Sequence, residues 1–233
     1  MNLDIKSISY EAFKILGPVL IWFFFAGIPV HQYVSNINLL TLIGFAVFYS
    51  FIISQMFVAK PNLLIVLVVD IVAILLLIKL VSSLELFNTI LIIIGLVLAH
   101  ALMFTDLIDE PHCAWIIYSL ISGTGVVFAL MIASNHFISI IDLVTLTLLI
   151  FMNALFAFPL FLRQPHWPFT LAIAIIAIIF AINIIPSAMR IVGFIVLTGL
   201  FLFLQFSIKS NKYQQKADIA TALSLLCAIV LFA

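Results

Sequence analysis

Asn88-Thr-Ile-Leu-Ile-Ile-Ile-Gly-Leu-Val-Leu-Ala-His-Ala-Leu-Met-Phe-Thr105 decides the fold. Its only ionisable side chain is His100. Leu91-Ile-Ile-Ile-Gly-Leu-Val-Leu98 does not alternate in polarity, whereas a membrane barrel strand alternates over roughly 10 residues. As a helix the stretch is about 27 Å long at 1.5 Å per residue. That is close to the roughly 30 Å of bilayer hydrocarbon.

The same pattern recurs in both directions. Apolar runs at 15–30, 39–58, 63–82, 88–105, 113–133, 140–162, 169–187, 190–208 and 217–233 predict an all-α, polytopic membrane bundle of about nine spans. Eight is the alternative, because Pro18 and Pro29 flank a short first span. Every connection is short, so residues 1–233 read as a single transmembrane domain with no soluble domain. Composition agrees: 67% of residues are hydrophobic and 8% charged. Soluble domains average roughly 45–50% apolar and about 25% charged. Nine basic residues balance nine acidic ones, which excludes a basic nucleic-acid binder. The two cysteines, Cys113 and Cys227, form no Cys-x-x-Cys pair and read as small buried hydrophobes.

Several junctions carry helix-start chemistry. Asn88-Thr89 reads as the cap of the fourth span, and Asp109-Glu110-Pro111 as an acidic cap with proline in the first turn of the fifth. Ser139 with Asp142 forms a capping-box pattern for the sixth. Orientation follows from the basic residues. Lys6, Lys14, Lys60, Arg163, Lys209, Lys212 and Lys216 fall on the N-terminal side, against Lys79 and Arg190 on the other. This predicts a cytoplasmic N-terminus, and the compact loops suggest a bacterial cytoplasmic (inner) membrane. Trp115 and Trp167 fall at one interface, as an aromatic belt would. Arg163-Gln-Pro-His-Trp-Pro168 reads as a rigid interfacial turn on which an anionic headgroup can rest.

The few polar residues inside the spans carry the functional reading. Asp70 lies about 10 Å and His100 about 8 Å from the N-terminal-side boundary, counted at 1.5 Å per residue. Both therefore reach the same level on spans joined by a hairpin. Ser119, Ser122, Thr124 and Asn153 fall in the same half of the membrane. Asp70, His100, Ser122 and Asn153 are the candidate substrate or proton pathway, since ionisable groups at this depth are costly unless paired. No metal is expected. The alternative ligand set is His100, Asp106, Asp109 and His112, whose carboxylates and imidazoles suit zinc or manganese. No cofactor is implied.

Small residues at helical spacing mark contact faces: Ser122, Gly125, Ala129 and Ala133; Ala174, Ala177 and Ala181; Ala220, Ser224 and Ala228. Gly123-Thr-Gly125 reads as part of the first face, and no span shows a Gly/Pro interruption at its midpoint. His-Glu-x-x-His, Gly-x-Ser-x-Gly and P-loop patterns are absent. The reading that results is a small-solute or ion transporter, coupled to protons through Asp70 and His100. The alternatives are a non-catalytic membrane subunit of a larger complex and a membrane-embedded enzyme acting on lipid; the balance is against an enzyme. The expected partners are the lipid bilayer and other membrane proteins or further copies of the chain, with no nucleic acid.

Overall fold

The computed structural model describes residues 5–58, 61–162, 166–208 and 213–233, with side chains described from 12 onward and, in the last helix, from 218. Lys60, Arg163, Lys209 and Lys212 lie outside the described residues, as do the side chains of Lys6 and Lys216. The charge-based topology and the Arg163 headgroup contact rest on these. Along the chain run α1 (Ile5–Ala26), α2 (Val30–Ser35), α3 (Ile37–Gln55), α4 (Leu63–Leu84), α5 (Leu86–Phe104), α6 (Pro111–Ile121), α7 (Thr124–Asn135), α8 (Ile140–Phe161), α9 (Trp167–Ile184), α10 (Ala188–Ser207) and α11 (Tyr213–Phe232). A 3₁₀ turn at Asp106–Asp109 links α5 to α6.

Each of the nine expected segments overlaps helix, the fifth being divided between α6 and α7. Seven stretches among the described residues are long and apolar enough to cross a membrane, with α6 and α7 together counted as one, Pro111–Asn135. The described parts of α1 and α11, Ala12–Ala26 and Asp218–Phe232, are shorter apolar helices. The chain is a helical integral membrane bundle. Its core holds Trp22, Phe25, Phe45, Phe194 and Phe201, while α4 turns Leu64, Leu67, Ile71, Leu75 and Ile78 outward. An apolar outer face is what lipid contact requires.

The small-residue faces are spent inside the chain. Gly125, Ala129 and Ala133 are buried on α7, and Ala174, Ala177 and Ala181 on α9. Ala220, Ser224 and Ala228 are buried on α11. A Cβ at Gly125 would stand 2.7 Å from the Leu91 carbonyl of α5, so only glycine lets those two backbones approach this closely. Ser139 and Asp142 form the expected capping box: Asp142 N–H donates to Ser139 Oγ at 3.1 Å, and Ser139 N–H donates to Asp142 Oδ2 at 2.8 Å.

Four expectations need correction. First, Asn88 and Thr89 do not cap α5. Apolar Leu86-Phe87 extends the helix back to Glu85, which turns the α4–α5 hairpin alone at φ 68° and ψ 152°. Asn88 then donates back to the Leu84 carbonyl at 2.7 Å. Second, Glu110 occupies the capping position before Pro111, but its side chain makes no capping bond. Third, Trp115 is core rather than belt. It is buried, donates to the Ala154 carbonyl at 2.7 Å, and meets Phe158 and Phe169 edge-on. Trp167 stays exposed. Fourth, the fifth span is interrupted at its midpoint.

Candidate functional site

Helix α6 ends at Ile121 and α7 begins at Thr124, because Gly123 adopts φ +85°. Only glycine takes that conformation at little cost. Any Cβ there would also collide with the Trp22 indole. An interruption inside a membrane strands carbonyls that water cannot reach, so the protein must satisfy them. Two distant side chains do so. Tyr49 of α3 donates its hydroxyl to the Ile121 carbonyl at 3.0 Å. Asn153 of α8 donates Nδ2 to the Ser122 carbonyl at 2.7 Å and approaches the Ser119 carbonyl at 3.4 Å. Beyond the break, α7 opens without a side-chain cap, and the buried Thr124 hydroxyl has no hydrogen-bond partner among the described residues.

Asp70 and His100 form a second polar site, between α4 and α5. His100 Nε2 lies 3.0 Å from Asp70 Oδ1, and His100 Nδ1 lies 2.8 Å from the Leu96 carbonyl one turn back. A carbonyl only accepts, so Nδ1 carries a hydrogen. If Nε2 were bare and the carboxylate ionised, two lone pairs would face each other at 3.0 Å. A hydrogen bond across the contact needs a further hydrogen, either on a carboxylic acid donating to Nε2 or on an imidazolium donating to the carboxylate. The two side chains are 21% (Asp70) and 28% (His100) exposed, so the pair is not sealed inside the bundle.

The structure thus sorts the sequence-predicted residues into two pairs, Asp70 with His100 and Asn153 with Ser122; no hydrogen bond joins one pair to the other among the described residues. Tyr49, Gly123 and Thr124 were missed as site residues. The signal was present in Ser122-Gly-Thr-Gly125, which packs two glycines into the middle of a span. The alternative metal set does not gather: His100 is engaged by Asp70, and no group of three or more metal-binding side chains occurs among the described residues.

A cavity of about 510 Å³ opens at the N-terminal-side end of the bundle. Asp109, His112 and His166 supply its polar lining, and Met56, Phe57 and Phe161 part of its apolar lining. Phe57 and Phe161 also close a triangle with Tyr118 of α6, with ring centroids 5.3–5.5 Å apart. Ser122 lies one turn beyond Tyr118 on the same helix. Along α6 the order is therefore cavity, aromatic triangle, break, with about 15 Å between His112 and Ser122 at 1.5 Å per residue. Comparison with protein-family models, curated proteins and solved structures gives no match, so the functional reading rests on this geometry alone.

Proposed function

We propose that the chain is a proton-linked carrier of small solutes, entered from the N-terminal side. The observation that carries the reading is the interrupted fifth span beneath the cavity. Helices broken at membrane depth are the usual way to present backbone dipoles to a solute, and they are tolerated only where protein or a cavity surrounds them. In this reading the solute enters past Asp109 and His112, passes the Phe57–Tyr118–Phe161 triangle, and reaches the uncapped start of α7 beside Thr124. Tyr49 and Asn153 hold the opposing carbonyls. Asp70–His100 exchanges its shared proton as the α4–α5 hairpin moves.

A complex subunit would leave a small-residue face uncovered for its partner, and the three such faces are buried within the chain. The lipid-enzyme alternative keeps one favourable observation, the convergence of Asp109, His112 and His166 on one interfacial cavity. The test is flux into proteoliposomes carrying the purified chain and an internal pH dye, challenged with a panel of small zwitterions, cations and anions. The expected result is solute-dependent proton movement that Asp70→Asn abolishes at unchanged folded yield. Proton movement that persists in Asp70→Asn would remove the pair from the mechanism, and no flux with any solute would remove the carrier reading.

A further inference from the structure

The cavity at the end of the bundle has a lining that selects its occupant. Asp109 brings a carboxylate, while His112 and His166 each bring at least one imidazole N–H. None of the three side chains has a hydrogen-bond partner among the described residues. A ligand that was only anionic would face Asp109, and one that was only cationic would leave the imidazole donors unanswered. All three residues are exposed at the cavity mouth, so an occupant that answers both signs is the most complementary one. Its apolar part has a matching wall in Met56, Phe57, Ile108, Leu160 and Phe161. The volume lies within the roughly 300–1,000 Å³ of ordinary small-ligand sites.

We infer that this cavity binds a zwitterionic amphiphile, with a primary ammonium on Asp109, a phosphate or carboxylate on His112 and His166, and an apolar portion against Phe57 and Phe161. The inference deepens the carrier reading by naming its substrate class. Two sources offer this chemistry: an aminophospholipid from the surrounding bilayer and a free apolar amino acid.

The test uses the full chain in phosphatidylcholine nanodiscs doped with phosphatidylethanolamine or phosphatidylglycerol, with bound lipid read by native mass spectrometry and labelled leucine as the soluble competitor. A primary ammonium donates hydrogen bonds to a carboxylate, and a quaternary one cannot. Retention of phosphatidylethanolamine over phosphatidylcholine by about tenfold is expected, the value of one charge-assisted hydrogen bond. Asp109→Asn erases that preference, whereas joint His112→Ala and His166→Ala weaken both lipids alike. Displacement by leucine assigns the site to free zwitterions; resistance to leucine assigns it to the lipid. The inference is overturned if the wild-type chain holds ethanolamine and choline lipids equally and binds no leucine, if the preference survives Asp109→Asn, or if phosphatidylglycerol binds tightest. Binding is read without transport. Selective binding with no flux removes the carrier reading alone, and flux without selective binding removes the ligand class alone.

Discussion

Asp70→Asn and Asp70→Leu separate the two things the Asp70–His100 pair does. Asparagine can donate its amide hydrogen to His100 Nε2, so the link between α4 and α5 survives without a transferable proton. Stability should change by less than about 1 kcal/mol, while proton coupling is lost. Leucine leaves the imidazole unanswered and should cost about 1–3 kcal/mol as well. Thermal unfolding in detergent, set beside the flux assay, distinguishes the two variants. Tyr33 is a second residue with a readable consequence. It is buried on α2, outside the spans, and its hydroxyl has no partner among the described residues. Burial pushes that hydroxyl from its ordinary 10.0 up to about 12. Below pH 10 folded and unfolded chains both carry the neutral phenol. Above it the unfolded chain gains by ionising while the fold still holds the proton, so Tyr33 withdraws stability between pH 10 and about 12. Tyr33→Phe should raise the neutral-pH Tm, since it removes an unpaired buried hydroxyl, and should make the loss of stability above pH 10 shallower. A Tm that falls at neutral pH would show a partner for the hydroxyl.

Among the elements, the α6–α7 break and the α4–α5 turn depend on backbone conformations that few residues accept. Gly123→Ala meets both a positive φ and the Trp22 indole, and should cost about 2–4 kcal/mol, as a strained φ plus overpacking does. Glu85 is the converse case. A non-glycine residue holds φ 68° and ψ 152°, a region that is nearly glycine's own. Glu85→Gly should therefore stabilise by about 1 kcal/mol, read as a higher Tm with unchanged helicity. What the sequence reveals at this scale depends on how local the cause is. The Ser139–Asp142 box is legible because both partners lie within one turn. The break was marked by Ser122-Gly-Thr-Gly125 but not readable as one, because its stabilising donors are remote. Tyr49 comes from 72 residues away from Ile121, and Asn153 from 31 residues beyond Ser122. Without them Ser-Gly-Thr-Gly looks like one more small-residue contact face. Asn88-Thr89 misleads for a related reason: capping residue types stand there, but apolar Leu86-Phe87 has already begun the helix.

Across the whole molecule, hydropathy is enough to place the spans, because the bilayer imposes one length and one polarity on each of them. The meeting of Asp70 and His100 follows from the same arithmetic, since equal depth on a hairpin leaves only the rotation of each helix to be settled. The cavity is another matter. It is assembled from the ends of α3 and α8, the 3₁₀ turn at Asp106–Asp109, the start of α6 and the residue before α9. No stretch of sequence reports that these five pieces converge. The account ties that cavity to the break through the Phe57–Tyr118–Phe161 triangle. The most direct test places a single cysteine at Ser122, with Cys113→Ser and Cys227→Ser, and applies a membrane-impermeant thiol reagent to oriented proteoliposomes from either side. The predicted result is labelling of Ser122→Cys from the N-terminal side only, faster when Phe161→Ala opens the triangle. Labelling from neither side, even with Phe161→Ala and with Asp109→Cys labelled normally, would contradict the route.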